Sequence, residues 1–197
     1  MEMKFSNAFE EADFRERCAF RDFDKMYNLF NDYNIHMTEI ETKSVYDISL
    51  QKIIDGSIKK RIFIEIKVRN KVFDDYILET KKYNSLKRLV KHTLMLDEDE
   101  YELWYLNFTP EGTLLWDIKN VDETLIKSQK MNKATVVSKT HKVNKNSYYL
   151  KPEMAKKWNY TWDEKQLKKY YKEYYLGKVE DYIEKKKIGL DEILGLK

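Results

Sequence analysis

The segment Arg61-Ile-Phe-Ile-Glu-Ile-Lys-Val-Arg69 alternates between aliphatic side chains and aromatic or charged ones. Successive side chains of a β-strand point to opposite faces of the sheet, and β-branched residues fit strands well. The three isoleucines and Val68 would therefore share one face. A strand whose one face is this apolar predicts a central position in a sheet, with that face covered by another layer.

The opposite face of the same strand carries Phe63, Glu65, Lys67 and Arg69. Glu65 and Lys67 would lie about 6–7 Å apart along the strand. Charges are rare in the middle of a sheet unless they are paired or bind something. A functional charge cluster and a simple cross-strand ladder of charges on a solvated face both remain open.

The chain before this strand predicts one helix and two further strands. Residues 8–30 place Phe9, Ala12, Ala19, Phe23, Met26 or Tyr27, and Phe30 at helical spacing. Glu16 is the charged member of that stripe. Residues 35–41 and 45–51 read as strands, and Asp55-Gly56 is a turn signal that leads into the third strand. We expect the three strands to form an antiparallel meander.

The chain after this strand predicts a second helix and a hairpin. Residues 73–93 read as a long helix, with Lys82 between Leu78 and Leu86 on its buried face. Residues 101–108 and 113–118 then form a hairpin around Thr109-Pro-Glu-Gly112. Further on, residues 134–138 are a candidate edge strand, and residues 161–187 read as one or two charged helices.

Length and composition limit the class of protein. The 197 residues suit one domain, or one domain with a small appendage. Apolar residues (42%) are sufficient for a core, while 36% charged residues and only five Gly and two Pro favour long elements with solvated surfaces. We expect residues 1–125 to form the α/β core, 126–150 a basic connecting stretch, and 151–197 a C-terminal helical extension.

Cysteine, histidine and hydropathy exclude several classes. Cys18 is the single cysteine, so no disulfide framework and no thiolate zinc site can form within one chain. His36, His92 and His141 are scattered. No apolar run approaches 18 residues, and the N-terminus lacks the core of a signal peptide. These features predict a soluble cytoplasmic protein that does not enter a membrane.

Charge is unevenly distributed along the chain, although the net charge is only +3. Residues 92–126 contain nine acidic residues and one lysine, whereas residues 127–145 contain six lysines and no acidic residue. Such asymmetry is compatible with a polyanionic partner bound at one side of the molecule. A solvated lysine-rich surface explains it equally well.

Asp47 completes the chemistry suggested by the charged face. If the second and third strands pair across the Asp55-Gly56 turn, Asp47 lies near Glu65. Two adjacent carboxylates repel each other unless a cation lies between them, and Mg²⁺ or Mn²⁺ with oxygen ligands is the natural cation. Lys67 could then hold the attacking water for cleavage of a phosphodiester.

Asp47 followed by Glu65-Ile66-Lys67 at the end of an apolar strand resembles the core motif of the PD-(D/E)XK nuclease superfamily. The predicted order of helix, three strands, helix and strand is similar to that restriction-endonuclease-like fold, whose central mixed sheet would have four to five strands. The resemblance covers residues 8–118. One departure is Tyr46, which stands where the motif's proline would be.

The resemblance implies roles for individual residues. Asp47 and Glu65 would bind Mg²⁺ or Mn²⁺, the Ile66 carbonyl would be a further ligand, and Lys67 would position water. Members often add a carboxylate from the first helix and a lysine from the helix after the motif. Glu16 and Lys82 occupy those places in this sequence.

Chance and ordinary surface chemistry offer alternatives. Other triplets share the spacing, among them Glu41-Thr-Lys43 and Glu79-Thr-Lys81, and Asp117-Ile-Lys119 is the strongest rival because it also ends a strand. Glu16 could instead pair with Arg17 or Arg21, and Lys82 could extend past Leu86 to water. The 65–67 triplet is preferred because four separate elements each place one polar residue on an apolar face.

Together these features predict a Mg²⁺-dependent nuclease, most simply a DNA endonuclease, with RNA as the other substrate considered. Arg69, Lys139 and Lys142 would contact phosphates. A symmetric double-strand cut would require a homodimer. The alternatives are a catalytically silent nuclease-like protein that binds nucleic acid or supports an assembly, and a helical adaptor that uses its C-terminal tyrosines.

Overall fold

A computed structural model of the chain describes residues 8–37, 44–132, 142–162 and 164–170. The described elements are, in chain order, α1 (Ala8–Tyr27), β1 (Tyr33–Met37), β2 (Ile48–Ile54), β3 (Ser57–Val68), β4 (Tyr76–Glu79), α2 (Thr80–Arg88), β5 (Tyr101–Thr109), β6 (Gly112–Asp117), β7 (Ile126–Asn132), β8 (Lys142–Leu150), β9 (Lys156–Trp158) and α3 (Glu164–Tyr170). Residues Phe5–Trp162 form one compact unit, and α3 belongs to a second unit.

β3 lies inside a mixed sheet of six strands in the order β1-β2-β3-β5-β6-β9. β3 and β5 run parallel, and the other neighbouring pairs are antiparallel. The predicted α/β class, the meander and the 101–118 hairpin are therefore confirmed. Asp55 and Gly56 both have positive φ, 53° and 73°, which a two-residue hairpin turn requires.

The isoleucine face of β3 is packed against α1, as its alternation predicts. Ile64 and Ile66 are completely buried. The Phe23 ring of α1 meets the Phe108 ring edge-on, with centroids 5.6 Å apart, and Phe108 is the β5 partner of Val68. This layer is apolar because aromatic side chains of the helix fill the space over the sheet.

The opposite face of the sheet packs against α2 and the chain that follows it. Phe63, Leu103 and Tyr105 on the sheet belong to one buried cluster with Tyr83 and Leu86 of α2. Both faces of the central strands are thus covered, as is usual where a sheet contains parallel strands. The charged end of β3 lies at the margin of this second layer.

The long helix predicted over 73–93 is wrong in its first part. Residues Tyr76–Glu79 form β4, and α2 begins only at Thr80. Leu78 pairs with Tyr148 of β8, far along the chain, and this non-local pairing overrides the helical spacing of the leucines. After α2, residues Leu89–Thr93 continue as one turn of π-helix.

The basic stretch forms strands, which its composition does not predict. β7 and β8 pair antiparallel, and β8 also pairs with β4, giving a second sheet in the order β4-β8-β7. The candidate edge strand over 134–138 lies outside the described residues.

The C-terminal third also differs from the expected helical extension. Residues Lys156–Trp158 form β9, which pairs with β6 and adds a sixth strand to the sheet predicted to have four or five. Gly112, with φ 154°, approaches this strand so closely that a Cβ there would lie 2.9 Å from the Trp158 carbonyl oxygen. α3 confirms the beginning of the predicted helical region, and the rest of that region lies outside the described residues.

Smaller differences concern individual side chains. Met26 is 61% exposed, so it does not belong to the buried stripe of α1, which instead includes Phe14, Cys18 and Phe20. β2 begins at Ile48, and Asp47 therefore precedes the strand. No described helix combines the length and the apolar character of a membrane span.

Candidate active site

The Lys67 ammonium group lies among three oxygen atoms at the carboxyl end of β3. Its Nζ is 3.1 Å from Glu16 Oε1, 3.1 Å from Glu65 Oε1 and 2.5 Å from the Ile66 carbonyl oxygen. Of the three donors of this ammonium group, one is bonded to Glu16 and one to the Ile66 carbonyl, while Glu65 is an ion-pair partner. α1 supplies Glu16 and β3 supplies the other two oxygens, which makes Lys67 the link between helix and strand.

Lys82 approaches the same carboxylate from α2. Its Nζ lies 2.6 Å from Glu65 Oε2, as an ion pair without aligned hydrogen-bond geometry, and 3.5 Å from the Ser44 carbonyl oxygen. Glu65 is 5% exposed and therefore has one ammonium group at each oxygen. Pairing on both sides offsets the cost of burying this charge.

Asp47 makes hydrogen bonds to Ile64 and Ile66, the two residues of β3 that flank Glu65 in the sequence. Its backbone N–H donates to the Ile64 carbonyl at 2.9 Å, and its Oδ2 accepts from the Ile66 N–H at 2.6 Å. These two bonds hold the carboxylate beside the end of the strand even though Asp47 is outside β2. The proximity of Asp47 and Glu65 expected from sequence is therefore present.

The two neighbouring carboxylates have opposite titration behaviour. Burial and then the charge of Glu65 raise the pKa of Asp47 to about 8. Burial also acts to raise the pKa of Glu65, but Lys67 and Lys82 outweigh it, so that pKa lies below its ordinary value. At neutral pH Glu65 is thus the ionised member of the pair, and Asp47 gains a charge only when something nearby favours it.

Glu16 and Lys67 form a third part of this charge system. Burial raises the pKa of Glu16, and the nearby Lys67 opposes that shift. Burial acts to lower the pKa of Lys67, yet Glu16, Glu65 and Asp47 outweigh it and hold the pKa well above its ordinary value. Lys67 is accordingly a permanent cation in this site.

The donor chemistry of the site fits a hard divalent cation. Asp47, Glu65 and the Ile66 carbonyl offer oxygen atoms at the end of one strand. Among the described residues, no three His, Cys, Asp or Glu side chains are grouped to hold a metal by themselves. Mg²⁺ commonly uses one or two carboxylates and keeps several waters, so a complete protein cage is not required.

Three further polar residues extend the site, and only one of them was predicted from the sequence. Arg69, predicted from sequence, donates from Nε to Asn107 Oδ1 at 3.0 Å and from Nη2 to the Tyr105 hydroxyl at 2.8 Å. Sequence reasoning missed Tyr105 and Asn107. They stand beside Glu65 and Lys67 in the parallel β3–β5 register, which only the pairing of strands reveals.

Asn107 is fully buried, and within the described part of the chain its Nδ2 has no partner that meets hydrogen-bond geometry. A buried amide group in this condition is costly unless it serves a function or meets a ligand. It lies on the face that carries Lys67, since residues paired across a parallel ladder share a side of the sheet.

The remaining predicted residues lie elsewhere. Lys142 begins β8 at the end of the strand away from β4, and Lys139 lies outside the described residues. The rival triplet has a different environment, because Asp117 is exposed and accepts the Lys119 N–H, while Lys119 pairs with Glu98. His36 and His92 are exposed, and His141 is outside the described residues.

The comparisons with known proteins place no family name on this arrangement. No protein-family model matches the sequence, and no curated protein matches it significantly.

Proposed function

We propose that this protein is a metal-dependent phosphodiesterase, most simply a DNA endonuclease, with a restriction-endonuclease-like core. The supporting observation is the convergence of Glu16, Asp47, Glu65, Lys67 and Lys82 from four separate segments at the end of β3. Carboxylates for a cation and fixed ammonium groups for a phosphate are the groups that phosphodiester cleavage uses.

Asp47, Glu65 and the Ile66 carbonyl would hold Mg²⁺ or Mn²⁺ in this proposal. When bound, the ion supplies Lewis-acid activation of water and neutralises charge on the phosphate. The Ile66 N–H keeps one Asp47 oxygen in a fixed direction, and Lys82 keeps one Glu65 oxygen in place. Orientation of both carboxylates before substrate arrives is what preorganisation requires.

Lys67 would position the attacking water and stabilise negative charge at the reacting phosphate. Its ammonium group contacts the Ile66 carbonyl and the Glu65 carboxylate, the groups that would hold the ion. Glu16 would keep Lys67 at the end of the strand. Arg69, held by Tyr105 and Asn107, would bind the neighbouring phosphate.

A DNA substrate agrees with the distribution of charge, because lysines on β7 and β8 add sites for phosphates. A cytoplasmic location and a homodimer for double-strand cutting belong to the same proposal. Neither is needed for the chemistry at Lys67.

A cleavage assay on supercoiled plasmid and single-stranded DNA, with Mg²⁺ titrated in, tests the proposal. We expect cleavage that chelator removes and that Lys67→Ala lowers by at least about 100-fold. Lys60→Ala is the matched control, because Lys60 lies in the same strand and pairs with Glu102. Equal cleavage by the two variants, or cleavage that chelator does not affect, would contradict the proposed site.

A catalytically silent binding protein is the second candidate, and one observation favours it. Both oxygens of Glu65 already contact lysines, so the described carboxylates form a self-contained ion-pair network. In that case the wild-type protein binds DNA without cutting it at any Mg²⁺ concentration. Asp47→Ala would then leave both binding and the absence of cleavage unchanged.

A further inference from the structure

The outer half of the β7–β8 pair extends beyond the sheet to which it is attached. β4 pairs only with residues 147–150 of β8, whereas β7 continues to pair as far as Lys142. Residues 142–146 and their partners 128–132 therefore form a two-stranded segment about 16 Å long. We refer to these two ranges as the ribbon arm.

One face of the ribbon arm carries hydrogen-bonding side chains. Cross-strand partners share a face, and the register pairs Ser128 with Asn146 and Lys130 with Asn144. All four residues are exposed. Toward the base of the ribbon the same face continues into Tyr148, which packs against Tyr83 of α2 with ring centroids 5.0 Å apart. The polar face is thus turned to the side on which α2 lies.

The lysines of this region divide between the two faces. On the other face, Lys145 pairs with Glu79 at 2.7 Å, and the Lys127 ammonium lies 5.0 Å from the centre of the Tyr149 ring. Lys130 belongs to the polar face, and Lys142 begins the arm. Both are exposed. No acidic residue occurs between Lys127 and Lys145 in the sequence, and Lys130 and Lys142 are the exposed positive charges of the arm.

We propose that the ribbon arm enters the major groove of duplex DNA and reads base edges with Asn144 and Asn146, an inference that rests on the proposed function for its link to cleavage. A two-stranded ribbon fits the major groove of B-form DNA. The major groove of A-form RNA is too narrow for side chains to read. None of the four face residues is aromatic, whereas proteins that bind single strands stack bases on aromatic rings.

The spacing of the two asparagines suits this role. Residues two apart on one face of a strand lie about 6–7 Å apart, close to the rise of two base pairs. An asparagine amide can accept and donate at the same time, which matches the major-groove edge of adenine. Lys130, directly across from Asn144, can reach a phosphate or a guanine edge.

A hydrogen bond joins the ribbon arm to the helix that carries Lys82. The Thr80 hydroxyl donates to the Asn146 carbonyl at 2.8 Å, and Thr80 begins the helix that carries Lys82 two residues later. Duplex DNA held by the arm would then be linked, through Asn146 and Thr80, to the helix whose Lys82 contacts Glu65. The arm would select where the strand is cut.

Binding in the presence of chelator tests the arm without cleavage. Fluorescence anisotropy with a labelled 30-base-pair DNA duplex is measured for wild type, for Lys130→Ala/Lys142→Ala, and for Lys59→Ala as an exposed-lysine control on another hairpin. We expect the double variant to bind at least about tenfold more weakly, with a salt slope smaller by about two, and the control to bind normally. Circular dichroism melting establishes that the variants are folded.

The asparagines are tested by selection from a library of randomised duplexes. Wild type should enrich an adenine-containing motif, and Asn144→Ala/Asn146→Ala should retain general affinity within about threefold while losing that preference about tenfold or more. Unchanged selection by this variant would overturn base reading. Equal affinity of wild type for duplex RNA or single-stranded DNA would overturn the assignment to the DNA major groove.

The two proposals fail in different ways. Hydrolysis of bis(4-nitrophenyl) phosphate reports the candidate active site alone. If wild type shows no metal-dependent hydrolysis but Lys130→Ala/Lys142→Ala still loses duplex binding, the nuclease proposal fails and the arm is supported. If hydrolysis is normal, Lys130→Ala/Lys142→Ala binds duplex DNA as wild type does and Asn144→Ala/Asn146→Ala selects the same sequences as wild type, the arm is refuted and the nuclease remains.

Discussion

The two faces of β3 come from the same nine-residue segment, but one is apolar and the other is charged. On one side Ile62, Ile64 and Ile66 are almost completely buried under α1. On the other side Glu65 is as deeply buried, yet it is a charged group that needs two lysines to remain ionised. The apolar face is stabilised by its own burial, whereas the charged face is stable only with partners from other elements.

The two faces therefore differ in what stabilises them. Burial of an isoleucine is favourable by itself, so the face under α1 is stable without partners but can tolerate little change. Burial of three carboxylates with two lysines yields little net stability, and such a network is maintained where it has a function. The following substitutions separate the two faces.

Glu65→Gln should have the largest effect and should act on activity. The amide keeps the shape of the side chain but leaves Lys67 and Lys82 without their shared negative charge and removes the charge of a proposed metal ligand. We expect Mg²⁺-dependent plasmid cleavage to fall by about 100- to 1,000-fold, measured as initial rates. Glu102→Gln, in the adjacent strand and paired with Lys60, should cleave normally. A similar loss in both variants would contradict the distinction between the faces.

Ile64→Ala should act on stability instead. Ile64 is fully buried, so truncation leaves a cavity under α1 that costs about 2–5 kcal/mol of unfolding free energy. Urea unfolding measures this, and the rate per folded molecule at low temperature should remain near that of wild type. Ile53→Ala, at an exposed isoleucine, should change stability by less than about 0.5 kcal/mol. Equal destabilisation by the two variants would show that Ile64 is not buried under α1.

Asp47→Asn should change how the stability of the fold depends on pH. The pKa of Asp47 is about 8 in the folded protein and about 4 in an unfolded chain. The folded state therefore holds a proton that the unfolded state has lost, and stability falls as pH rises from about 4 to about 8. Asparagine does not titrate but can still accept the Ile66 N–H.

In chelator, the melting temperature of Asp47→Asn should match wild type at pH 4.5 and exceed it by at least about 3 °C at pH 8.5. The same variant should lose Mg²⁺-dependent cleavage, so stability and activity would move in opposite directions. A melting-temperature difference that is the same at both pH values would exclude the raised pKa as its cause.

Cys18 offers the smallest test, within the apolar layer. It is 2% exposed, and burial raises the pKa of its thiol to about 12. Cys18→Ala should cost about 1 kcal/mol in urea unfolding. The native thiol should react with a disulfide reagent only on unfolding, because the thiolate is the reactive form. Rapid reaction of the folded protein would show that α1 does not close over this face.

Sequence reasoning predicted the elements whose contacts are local. The alternation around Ile64, the Asp55-Gly56 turn and the 101–118 hairpin all appear where expected, because each depends on neighbours within a few residues. Residues 76–79 and 142–150, which form β4 and β8, were not predicted as strands. Leu78 becomes a strand residue through Tyr148, and the lysine- and asparagine-rich β8 has no apolar alternation to indicate it.

The residues of the candidate site also divide into those predicted from the sequence and those that depend on non-local strand pairing. Asp47, Glu65, Lys67, Glu16 and Lys82 were selected from sequence, and their contacts in the structure are consistent with that selection. Tyr105 and Asn107 could not be selected. Their relation to Glu65 and Lys67 depends on the parallel register of β5, and nothing in either strand alone specifies that register.

The order of residues by itself determined which side chains of β3 are apolar and which are charged, since strand geometry converts alternation directly into two faces. Only the tertiary structure decided which partners the charged side chains meet. The tendency of a side chain to leave water is a property of the residue itself. Neutralising a buried charge instead requires a second group at about 3 Å, and the fold brings that group from far away in the sequence.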